Sequence, residues 1–253
     1  MIQSVIDIIS SHLSNCNGEI HSHGSINFKH SSIVDFFKHL VDFERPDAHS
    51  IVENSVHIFE HFEFDSSSVR KRKGSLSNIE KSRVNRAFDA ILPAGNGIRL
   101  RDELNIDYHV KNYVDNALAN LQNHYAKIDS YIDNLKSNNI ILDNNNVSVG
   151  FFIEDTTVLG NLSEPKANDW VSPPRPLILC HSKQFLDMFE SLSKLDFCIC
   201  ASMTSSQSHL WYIDHESIPE YRKHELDFEE LSIIDFTPQA LGYSVTIEDS
   251  SIE

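Results

Sequence analysis

The stretch SVHIFEHFEFD, from Ser55 to Asp65, constrains the fold more than any other part of the chain. Its alternation has the period of a β-strand, so Val56, Ile58, Glu60, Phe62 and Phe64 share one face, and His57, Phe59, His61, Glu63 and Asp65 share the other. The first face is apolar apart from one carboxylate. Burying Glu60 there without compensation costs several kcal/mol, so a carboxylate at this position points to a partner or a function.

The surrounding chain supplies the material for a mixed sheet with helices. Ile2, Val5, Ile6, Ile9 and Leu13 recur at helical spacing before the break at Asn15 to Gly18. A second helix is predicted over 31–41, capped by Ser31 or Ser32, with Ile33, Phe36, Phe37 and Leu40 apolar. A long helical region follows over 78–137, and its second half carries Val110, Tyr113, Val114, Ala117, Leu118 and Leu121 on one face. Strands are predicted for VSVGFFIED (147–155), PLILC (176–180), DFCICAS and HLWYID, with a helix in QFLDMFESLSKL. The strand, helix and strand beginning at PLILC read as one parallel βαβ unit. The expectation is an α/β (α+β) single domain over 1–253, with a core of 1–77 and 147–236. A helical insertion of 78–146 and an acidic tail of 237–253 complete it.

Upstream of the alternating strand lies Pro46-Asp47, and the strand itself delivers Glu60-His61-Phe62. Together with the helix around Ile33 to Leu40, these residues resemble the PD-(D/E)xK, or restriction-endonuclease-like, nuclease superfamily. There a helix precedes a hairpin, a Pro-Asp opens one strand and an acidic-x-Lys triplet sits on the next. The resemblance implies a mixed sheet flanked by helices and a Mg²⁺- or Mn²⁺-dependent phosphodiesterase acting on DNA or RNA. It further implies Asp47 and Glu60 as metal ligands and a setting in restriction, phage defence or a mobile element. Oxygen ligands suit such hard cations, which activate water and offset charge on the scissile phosphate. Phe62 stands where the family has its lysine. Three readings stay open: a migrated Lys71 or Lys73, a functional pair of Glu63 and Asp65 beside His61 on the opposite face, or a non-catalytic accessory subunit on the same fold that works with a protein partner.

Charge bears on the substrate. With 21 Lys and Arg against 37 Asp and Glu, the net charge is −16, which opposes a broad polyanion-binding surface. Positive charge concentrates in a polar loop over 66–77, where Arg70, Lys71, Arg72 and Lys73 are candidate nucleic-acid contacts. Glu154 and Asp155 close an apolar run and read either as further ligands or as a strand exit. His181-Ser182-Lys183 opens a helix, as a simple N-cap or as a phosphate cradle. The chain has 14 histidines, and His21-Ser22-His23 would project two imidazoles from one strand face, a zinc geometry. That triplet also resembles the HSH of JAMM-type metalloproteases, with Ser32-Ile33-Val34-Asp35 close to their downstream Ser-x-x-Asp. It makes a zinc hydrolase at His21 and His23 the third functional reading.

Other classes find no support. Nucleophile-elbow, Walker and dinucleotide glycine patterns are absent. The four cysteines read as buried thiols. A mean hydropathy of −0.29 and the lack of a long apolar run predict a soluble, cytoplasmic protein without a membrane span.

Overall fold

A computed structural model describes residues 4–16, 20–23, 37–66, 69–70, 74–75, 110–157, 178–203 and 208–227. Its centre is a seven-stranded mixed sheet flanked by helices on both faces. Nine strands and five helices are named in chain order: α1 (Val5–Asn15), β1 (Ile20–His21), β2 (Val41–Asp42), β3 (Ala48–Val52), β4 (Ser55–Phe64), β5 (Val69–Arg70), β6 (Gly74–Ser75), α2 (Val110–Tyr125), α3 (Ile128–Ser137), β7 (Asn146–Asp155), α4 (Lys183–Ser191), β8 (Phe197–Met203), β9 (Ser208–Asp214) and α5 (Ile218–Tyr221). The sheet order is β1-β9-β8-β7-β4-β3-β2, with β5 and β6 forming a separate antiparallel pair.

β2, β3 and β4 make an antiparallel meander, and β4, β7 and β8 then run parallel. α2 and α3 lie in the crossover from β4 to β7, and α4 lies in the crossover from β7 to β8. β9 returns antiparallel to β8, and β1 joins it in parallel. Two of the helices, α1 and α4, begin where a serine side chain provides an acceptor. The Asp7 N–H donates to the Ser4 hydroxyl at 3.2 Å, and the Phe185 N–H donates to Ser182 at 3.3 Å.

The alternation in β4 partitions as expected. Val56, Ile58, Phe62 and Phe64 pack with Tyr113, Leu121, Tyr131, Leu135, Phe185 and Phe189. On the opposite face Phe59 packs with Phe152, Ile199, Leu210, Tyr212 and the Val5 and Ile9 side of α1. Gly150 is required by close approach, because a Cβ there would lie 2.1 Å from the Phe197 ring that crosses it.

Several expectations are corrected. PLILC does not supply a strand in its described part: Leu179–His181 is a 3-10 turn with Leu179 and Cys180 buried. The first strand of the parallel unit is β7, which already holds the place beside β8. The basic loop contains a short hairpin, with Arg70 opposite Gly74, while Lys71, Arg72 and Lys73 lie outside the described residues. Most of the helix expected over 31–41, the first part of the helical region and the acidic tail lie outside them too. All four cysteines are buried thiols outside any disulfide. Among the described residues no helix is long and apolar enough to cross a membrane.

Candidate metal centre

Parallel pairing sets Glu63 directly against Glu154 at the carboxyl ends of β4 and β7. His61 precedes Glu63 by two residues and therefore shares its face, the one covered by α1. One ligand atom from each of His61, Glu63 and Glu154 lies within 4.8 Å of the others, so this group could hold a metal ion. His61 Nε2 is 2.9 Å from Glu154 Oε2. Two donors of one small cation, each bonded at about 2 Å, stand roughly 3 Å apart, so this spacing fits. Glu63 is exposed and opens the group to solvent, while His61 and Glu154 are partly buried.

The other oxygen of Glu154 is held from behind. His12 in the last turn of α1 donates its Nε2–H to Glu154 Oε1 at 3.0 Å, and its Nδ1 lies 3.0 Å from the Ser208 hydroxyl. Because the carboxylate can only accept, Nε2 carries the proton in this contact. Burial pushes the Glu154 carboxyl up, but hydrogen bonds and charge from His12 and His61 outweigh it and hold it at about 2. Ser208, His12 and Glu154 have the connectivity of a nucleophile triad, yet Ser208 is only 1% exposed, so no substrate reaches it.

Asp47 and Glu60 form a neighbouring group. The Asp47 N–H donates to Glu60 Oε2 at 3.3 Å, and the His61 N–H donates to Asp47 Oδ2 at 2.8 Å. Burial and the nearby Glu60 charge raise the Asp47 pKa, partly offset by the His61 N–H. Glu60 itself points to the helical face opposite His61 and Glu63. There its Oε1 accepts from the Tyr131 hydroxyl at 2.5 Å and lies 2.8 Å from His124 Nδ1. Phe62 is buried with its ring stacked on His124, centroids 4.8 Å apart.

The sequence-predicted residues thus fall into three places. Asp47, Glu60 and His61 are linked through the backbone, Glu63 joins His61 on the α1 face, and His21 and His23 lie near Trp211. Asp155, read beside Glu154 as ligand or strand exit, faces the other way. It is buried, and burial raises its carboxyl to about 7 despite hydrogen bonds from Thr157 and Tyr113. Ser182 is buried as an N-cap, and Lys183 Nζ stands 3.8 Å from Asp227. His12, His124 and Tyr131 were not singled out from sequence. His12 carried a signal, since it continues the i, i+4, i+7 spacing of Val5 and Ile9.

Compared with protein-family models, curated proteins and solved structures, the chain matches none.

Proposed function

We propose that this chain is a metal-dependent, nuclease-like hydrolase of phosphodiester bonds in DNA or RNA. The carrying observation is the mixed donor set of His61, Glu63 and Glu154, gathered at the carboxyl ends of two parallel strands. Open α/β sheets commonly bind ligands at such ends. The order of elements supports the nuclease reading: a meander with Pro46-Asp47 leading into its second strand β3, Glu60-His61 on its third strand β4, and a helical crossover into parallel β7.

An imidazole beside two carboxylates favours Mn²⁺ or Zn²⁺ over Mg²⁺, whose sites are usually all oxygen. A divalent cation at this site would supply Lewis acidity to a phosphoryl oxygen and lower the pKa of an attacking water. The protein residues divide the remaining work. His12 keeps Glu154 ionised and oriented, in the manner of outer-shell partners of metal ligands. Asp47 anchors the backbone of His61 through its N–H. Exposed Glu63 faces the side from which a phosphate arrives.

Supercoiled plasmid and single-stranded RNA, incubated with Mg²⁺, Mn²⁺ or Zn²⁺, test the proposal. Cleavage is expected with at least one cation, falling by at least ~100-fold in Glu63→Gln and Glu154→Gln, in line with removal of a site's principal electrostatic groups. No cleavage with any cation, or cleavage that survives both substitutions, overturns it.

Phe62 favours a second reading. With a buried ring stacked on His124 in the place of the family lysine, the fold would serve as a non-catalytic accessory subunit. That reading predicts metal binding without cleavage and stable association with a protein partner.

A further inference from the structure

Strand alternation puts Ser208, Leu210 and Tyr212 on one face of β9. Leu210 and Tyr212 belong to the apolar layer that packs with α1, and Ser208, at the start of the strand, is the polar member of the row. It pairs with Met203 across the β8–β9 hairpin and is buried, so its hydroxyl meets no solvent. Its partner is His12 Nδ1 at 3.0 Å, and Nε2 of the same ring reaches Glu154 Oε1 at 3.0 Å. Ser208 and Glu154 stand on strands separated by β8, roughly 10 Å of sheet. The buried imidazole spans that gap.

Apolar packing fixes where the His12 ring lies but not which way round it stands. The ring is tilted against Phe152 with centroids 5.6 Å apart, and the His61 ring flanks the same phenylalanine at 5.9 Å. A ring held by its faces alone could turn over, which sets carbons where the two nitrogens stand and deprives Glu154 of its donor. A polar partner on Nδ1 disfavours that orientation. The kind of partner matters as well: a hydroxyl donates or accepts, so it satisfies Nδ1 whether His12 is neutral or charged. When a cation draws on Glu154, the carboxylate holds His12 less strongly, whereas the contact with Ser208 does not depend on the cation.

We propose that Ser208 is a positioning residue of the candidate metal centre, acting through His12 to set the orientation of Glu154. The inference rests on the reading of His61, Glu63 and Glu154 as metal ligands and extends that centre by one layer, from the ligand through α1 to β9. It gives the buried hydroxyl a role other than attack on a substrate. Partners of this kind hold a ligand in its bonding geometry before the metal arrives, and their loss weakens metal affinity although they never touch the ion.

A double-mutant cycle tests it. Chelator-treated full-length wild type, Ser208→Ala, His12→Phe and the double variant are each titrated with Mn²⁺ by calorimetry. Ser208→Ala is expected to weaken Mn²⁺ binding about tenfold, the lower end for outer-shell partners. In the His12→Phe background the same substitution should change the affinity by no more than about twofold, because its route to Glu154 is already gone. A merely structural hydroxyl would give the same loss in both backgrounds. That result, or Mn²⁺ affinity unchanged by Ser208→Ala in the wild type, overturns the proposal. Ser208→Cys, a weak donor of similar size, and His12→Leu take the place of any variant that fails to fold. Absence of Mn²⁺ binding by the wild type overturns the metal centre itself and this inference with it, whereas wild-type binding that Ser208→Ala leaves unchanged overturns this inference alone.

Discussion

Glu60 shows how one buried charge organises its neighbours. Its carboxylate, buried among phenylalanines, takes hydrogen bonds from Tyr131 and the Asp47 N–H and contacts His124. Glu60→Ala would strand the Tyr131 hydroxyl and His124, and should lower stability by about 2–4 kcal/mol in urea unfolding. Glu60→Gln keeps an acceptor and should cost about half as much. A second residue-scale prediction concerns His49, which is buried with Nδ1 unpaired and whose pKa is lowered by burial. The folded state then binds fewer protons than the unfolded state, so stability present above about pH 6.5 is lost as pH falls. His49→Phe should therefore lose less melting temperature between pH 7 and pH 5 than the wild type; an equal loss contradicts this. The burial of Glu60 was legible from Ile58, Phe62 and Phe64. Its partners were not, because strand periodicity assigns a face and says nothing of which distant helix covers it.

At the scale of elements, legibility followed the length and regularity of the pattern. β4, β7, β9 and α4 each show several repeats of their period, and their existence and type could be read directly. The apolar run ending in Cys180 is too short to separate a strand from a tight turn, and the sheet already fills the neighbouring position with β7. The register that pairs Glu63 with Glu154 was also hidden, since it arises from parallel pairing across a long helical crossover. Gly150 faces Phe197 in the β7–β8 pairing, and the Phe197 ring occupies the space a methyl group would need. Gly150→Ala should therefore displace that ring, which also packs near Phe59 and Tyr212. A loss of about 1–3 kcal/mol is expected in chemical denaturation, and an unchanged midpoint would show that the ring yields freely.

For the molecule as a whole, a charge of −16 and a small mixed donor site make opposite demands on a polyanionic substrate. Composition made the first legible, and only the fold assembles the second. Nucleic-acid binding measured by fluorescence anisotropy at physiological salt should accordingly be weak in chelator and strengthened by Mn²⁺, whereas equal binding in both would point to a basic surface instead. The most direct test of the central claim is calorimetric titration of chelator-treated protein with Mn²⁺, comparing the wild type with Glu63→Gln. The His61, Glu63 and Glu154 centre predicts about one Mn²⁺ per wild-type chain and at least tenfold weaker binding in the variant. Equal Mn²⁺ affinity in the two proteins, or no binding by the wild type, would contradict it.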